Sequence, residues 1–156
     1  MPASDRTHPT EAHRQLDAFV GHWHAEGKSY ADGQQADDPR ATAVDWDSDE
    51  VYEWMEGGYF LVHRWDATVG KRVFRGTEII GHDPQGGYFT RFFDNAGHHP
   101  EYKVAVDGDT WTFEEPGTRA TVAFADDGAS LEIAWQWRND GSDWLPLCDL
   151  VSRRVD

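Results

Sequence analysis

Ionisable residues set among apolar strand positions are where this sequence could do chemistry. His63 lies in Tyr59-Phe60-Leu61-Val62-His63-Arg64-Trp65, in phase with Tyr59, Leu61 and Trp65. Alternate residues of a strand share a face, so an inward apolar face would carry this imidazole with it. There it can orient a guest or move a proton; the plainer alternative is a hydrogen-bonded core or surface histidine. Asp94 heads the loop Asn95-Ala96-Gly97-His98-His99-Pro100, where a His–Asp pair at a rim could also move a proton. In an enzyme built on this chain, His63 and Asp94 would be the first acid–base candidates. Arg75 and Arg91 interrupt apolar runs, and a buried guanidinium can clamp a carboxylate. The alternative is that both are solvated or paired across strands.

Other candidate chemistry is thinner. His22 and His24 share a face, and paired imidazoles bind metals. If Trp23 points inward, however, both point to solvent with no third ligand nearby, so no metal site is expected. The single cysteine, Cys148, excludes a disulfide framework and a cysteine-based zinc cluster. No nucleophile elbow, phosphate loop, dinucleotide fingerprint or EF-hand is present.

The elements that must position these residues are nearly all strands. The 156 residues fit one domain, read here as a disordered tail over 1–9 and a single domain over 10–156. A short helix opens it, with Thr10 as cap, Glu11 in the first turn, and Ala12, Leu16 and Phe19 on one face. Strands are then expected over 20–30, 41–54, 59–65, 72–81, 87–94, 102–106, 110–114, 118–125, 130–138 and 144–155. Asp107-Gly108-Asp109, Asp126-Asp127-Gly128 and Asn139-Asp140-Gly141 are tight-turn sequences between them. A meander of roughly ten antiparallel strands needs its edges closed, which an up-and-down β-barrel does. A two-sheet sandwich, the other candidate, needs longer crossings than these.

Composition narrows the partners. Against 29 acidic residues stand 14 basic ones, a formal net charge of -15. That balance opposes nucleic acid and anionic membrane surfaces alike. The start, Met1-Pro2-Ala3-Ser4-Asp5-Arg6, has no secretory h-region, and no apolar run reaches the roughly 20 residues of a membrane helix. A soluble, cytoplasmic protein is expected. Eight Trp, eight Phe and five Tyr supply many rings. Trp135 and Trp137 share a face with Leu131 and Ile133, and Trp111 and Phe113 share another. Such rings either enclose a cavity for a flat apolar guest or simply fill the interior.

The stretch from Leu16 to Gly21-His22-Trp23 resembles the Gly-x-Trp opening of lipocalin-like barrels. In that group the Trp closes the barrel base, with a basic residue of the last strand across its indole. The resemblance implies that role for Trp23 and for Arg153 or its neighbour Arg154. Together with Gly57-Gly58-Tyr59-Phe60-Leu61, Ile80-Gly81-His82-Asp83 and Tyr88 to Asp94, the pattern resembles a bacterial domain-of-unknown-function family of small calycin barrels related to nitrobindin. Nitrobindins bind haem through a histidine near the start of the final strand. Here that stretch is Leu145-Pro146-Leu147-Cys148-Asp149-Leu150, so no cofactor is expected; haem held by Cys148 as thiolate stays the third reading. The resemblance implies a barrel binding a small hydrophobic or amphipathic molecule, contacted by His63, Trp65, Arg75, Arg91, Trp135 and Trp137. The rival is a cyclase, isomerase or hydro-lyase on the same scaffold. Analogy with similar barrels also suggests a homodimer joined by barrel sides.

Overall fold

The computed structural model describes residues 8–155; of the tail expected over 1–9, positions 1–7 lie outside the described residues. Helix α1 (Glu11–Gln15) and a 3-10 turn (Leu16–Phe19) precede ten strands. These are β1 (Gly21–Ser29), β2 (Val44–Trp54), β3 (Leu61–Val69), β4 (Arg72–Asp83), β5 (Gly87–Asp94), β6 (Glu101–Asp107), β7 (Thr110–Glu115), β8 (Thr118–Phe124), β9 (Ser130–Trp137) and β10 (Leu145–Val155). Each pairs antiparallel with its sequence neighbours, and β1 also pairs with β10, so the sheet closes into an up-and-down barrel. Among the described residues, no helix is long and apolar enough to cross a membrane.

Alternation sets which residues face inward. Along β2, Asp45, Asp47 and Asp49 lie in the solvent phase, while Trp46, Ser48, Glu50 and Tyr52 lie in the other. A shift of one residue would reverse the two sets. At Gly27, β1 passes so close to β10 that a Cβ would stand 2.0 Å from the Asp149 carbonyl oxygen. Only glycine permits that approach.

One barrel end is plugged by the N-terminal segment. The Thr10 backbone N–H donates to His13 Nδ1 at 3.0 Å, tying down the first turn of α1. Leu16 and Phe19 are then fully buried, with the Phe19 ring 5.3 Å from Tyr52, 5.2 Å from Trp111 and 5.0 Å from Phe124. Trp23 Nε1 donates to the Phe19 carbonyl at 2.8 Å. The cation over the Trp23 ring is Arg154, at 4.2 Å, and this corrects the expectation of Arg153. Trp23 is opposite Arg154 across the β1–β10 pairing, whereas Arg153 is opposite His24 in the solvent phase. Arg154 also donates to the carbonyls of Ala18 and Val20, each at 2.6 Å, and of Gly128 at 2.9 Å. The opposite barrel end is bounded by the 30–43, 95–100 and 138–144 connections, and among the described residues no helix belongs to it.

Candidate functional site

Above the plug lies a cavity of about 800 Å³ that opens at the far end. Its floor is a chain of polar groups. Trp46 Nε1 donates to Ser48 Oγ (2.9 Å), and Ser48 Oγ donates to Glu50 Oε2 (2.6 Å). His63 Nε2 donates to Glu50 Oε1 (2.6 Å), and Nδ1 donates to Glu78 Oε1 (3.1 Å). Strand register builds the cluster: β3 sits between β2 and β4, and His63 is directly opposite both Tyr52 and Glu78. The Tyr52 ring stacks on the imidazole at 3.9 Å with an interplanar angle of 4°. Phe19 stacks behind Tyr52, so the plug and the floor form one aromatic column.

This setting fixes protonation. Burial works to lower the His63 pKa, yet the bonds to Glu50 and Glu78 outweigh it and push the value up to about 9. Burial likewise works to raise Glu50, and the bond to His63 prevails, holding that carboxyl below its ordinary value. At neutral pH the floor is therefore an imidazolium between two carboxylates. Burial and the neighbouring Glu50 and Glu78 push the Tyr52 hydroxyl well above the usual phenol range.

Rings make up much of the wall, including Trp65, Phe74, Phe92, Tyr102, Phe113 and Trp135. Trp65 stands where it does because position 76 is glycine: a Cβ there would lie 2.0 Å from the indole Cζ2 and 2.5 Å from the Phe93 carbonyl oxygen. Trp65 Nε1 is buried and has no hydrogen-bond partner among the described residues. At the mouth, His98 Nδ1 meets Asp94 Oδ2 at 2.9 Å, while Asp94 Oδ1 accepts from the backbone N–H groups of Ala96 (2.9 Å) and His98 (3.0 Å). Burial opposes ionisation of Asp94, but these bonds prevail and lower its pKa.

His63, Trp65, Asp94 and Trp135 all line the cavity, as the phase of their strands implied. His63 is engaged by Glu50 and Glu78 on the floor, and Asp94 by His98 at the rim. Arg75 and Arg91 are corrections. Both stand on the outer wall, Arg75 bonded to Asp66 (2.9 Å) and Arg91 to Glu101 (2.6 Å). The inward phase of β4 is Phe74, Gly76, Glu78 and Ile80, and that of β5 is Tyr88, Thr90, Phe92 and Asp94. Trp137 is not among the cavity-lining residues; its Nε1 donates to Gln34 Oε1 at 2.8 Å. Glu50 and Glu78 were missed by sequence reasoning, although each shares the phase of inward aromatic or aliphatic neighbours.

The haem reading can be tested on the same geometry. Both ring nitrogens of His63 are committed to carboxylates. Burial, then Asp149, pushes the Cys148 thiol up to about 12, so it retains its proton. On this geometry the His63 ring offers iron no free nitrogen.

Comparison with known proteins places this geometry in a wider group. No curated protein matches the chain. Among solved structures it is similar to Rv2717c from M. tuberculosis, with a TM-score of 0.70 and 15% identity over 94% of this chain and 99% of that one. It is also similar to zebrafish ileal bile acid-binding protein complexed with cholic acid, with a TM-score of 0.53 and 14% identity over 88% of this chain and 99% of that one. At these identities the likeness is one of fold. Residues 8–125 match the family described as "Protein of unknown function (DUF1579)", and the chain belongs to that family.

Proposed function

We propose that this protein binds a small, mostly apolar molecule with one polar end, which enters through the open mouth and rests on the His63 floor. The observation that carries this reading is the cavity itself: about 800 Å³, ring-walled, plugged at one end and open at the other. Ligand pockets typically measure about 300–1,000 Å³ and combine apolar walls with a few convergent polar groups. The zebrafish protein, similar in fold, is complexed with cholic acid, and that supports the reading.

The test is titration with the neutral fluorophore N-phenyl-1-naphthylamine, alongside native mass spectrometry of the freshly purified chain. Saturable binding at one site per chain, abolished by the cavity-filling substitution Ile133→Trp, is the expected result. A linear, unsaturable signal that Ile133→Trp leaves unchanged, with a bare chain mass, would reject the reading.

A further inference from the structure

Acidic groups and aromatic rings lie side by side in the cavity wall. Four rings follow one another along its wall: Trp65 to Phe92 at 4.8 Å, Phe92 to Tyr102 at 6.1 Å, and Tyr102 to Trp135 at 5.3 Å between centroids. Glu78 stands beside this arc and is only 6% exposed. His63 occupies its Oε1, and no described residue donates to its Oε2. Asp94 and Glu115 add two further carboxylates to the lining.

Deep in the cavity the positive group is engaged: His63 is held between Glu50 and Glu78. The basic side chains Arg72, His98 and His99 line it at the mouth, where Arg72 lies 3.7 Å from Asp32 and His98 is bonded to Asp94. Glu50 and Glu78 lie near the Tyr52 hydroxyl, and Glu78, Glu115 and Asp94 near that of Tyr102, in a space where low dielectric strengthens each interaction.

An arc of aromatic rings beside a carboxyl group with a free oxygen is a setting that favours an organic cation. A carboxylate or sulfonate guest on the floor would meet repulsion there and find no cation other than the paired His63. We propose that the guest is an organic amine or quaternary ammonium with a flat apolar body, its positive end set against Glu78 among Trp65, Phe92 and Tyr102. This assignment rests on the cavity being a binding site and adds the charge of what it binds.

Three naphthalenes of nearly one shape test it: 1-naphthylmethylamine (cationic), 1-naphthalenemethanol (neutral) and 1-naphthoate (anionic). Each competes with N-phenyl-1-naphthylamine at neutral pH and raised salt, which screens the long-range pull of the acidic surface. The amine should bind at least about tenfold more tightly than the alcohol, and the anion at least about tenfold more weakly. Glu78→Gln should bring the amine to within about threefold of the alcohol and leave the alcohol unchanged. Asp47→Asn, on the outer wall, should alter none of them. An amine no tighter than the alcohol, or a tighter anion, overturns the charge assignment while cavity binding stands. An amine preference that survives Glu78→Gln overturns the role of Glu78. If the fluorophore itself fails to bind, the cavity reading falls too. Should Glu78→Gln not fold, the series on the unmodified chain decides the charge by itself.

Discussion

Raising the pH until His63 loses its proton should weaken the fold by an amount that the cavity floor determines. Glu50 and Glu78 hold the imidazole pKa at about 9 against an ordinary 6.5. The folded value lies above the unfolded one, so the native state binds this proton more tightly. The resulting stability is complete below pH 6.5 and is lost as pH climbs through about 9. At about 1.4 kcal/mol per pH unit, that interval corresponds to about 3 kcal/mol. A loss of that size is a substantial part of the roughly 5–15 kcal/mol that keeps a domain folded. Two other histidines shift as well. His24 is raised, chiefly by its bond to Asp49, but lies on the solvent side of β1 where water and salt screen it. His13 is lowered, chiefly by burial, and titrates on the acid side of the window. Urea unfolding at pH 6 and pH 9.5, for the wild type and for His63→Gln, isolates the contribution of His63. The wild type should lose about 3 kcal/mol more than the variant across this range, and the imidazole NMR signals should titrate near 9. An imidazole titrating at 6.5 or lower, or the same pH slope in both proteins, would refute the ion triad.

Two further outcomes follow from the same geometry. Arg154→Ala removes the cation over Trp23 and three carbonyl contacts and should cost about 1–2 kcal/mol in urea denaturation. Arg153→Ala should stay within about 0.5 kcal/mol of the wild type, and equal losses would show that the wrong arginine has been assigned to the indole. Cys148, with its thiol pushed up to about 12, should react with a disulfide reagent at pH 8 at least about a hundredfold more slowly in the native chain than in denaturant. Rapid native labelling would mean that the cavity holds a thiolate.

Turns and hydrophobic phase made the barrel legible, whereas individual strand ends were harder to read. The third strand was expected to stop at Trp65 but runs on to Val69. Asp66 is the outward residue between the inward Trp65 and Ala67, so the alternation continues past it. The second strand starts at Val44 rather than at position 41. His63 could be found because a polar residue stood in an otherwise apolar phase. Glu50 and Glu78 stood in equivalent phases and escaped notice, since a charged residue in a strand is normally read as solvent-facing. Arg75 and Arg91 show the opposite error: chemical suitability for a clamp outweighed the parity that put them outside. No sequence pattern displays the pairing of strands β2, β3 and β4 that places one imidazole between two carboxylates, because that depends on register between segments separated by loops.

The division of the barrel into two ends explains why its floor is charged at all. Replacing a buried ion cluster with well-packed apolar side chains is often neutral or stabilising, so stability alone does not call for Glu50, His63 and Glu78. The closed end shows what stability uses: Leu16 and Phe19 fully buried, Trp23 covered by Arg154, and rings packed at 5.0–5.3 Å around Phe19. The ion cluster begins where that packing stops, one ring above Phe19, and faces the space left open. Its charges are mutually satisfied enough to remain buried, since both imidazole nitrogens and both Glu50 oxygens are bonded. The remaining Glu78 oxygen and the Trp65 indole N–H are left without protein partners among the described residues. A floor built for stability would have no reason to leave an acceptor uncommitted beside a ring-lined cavity, whereas a floor built to hold the polar end of a guest would.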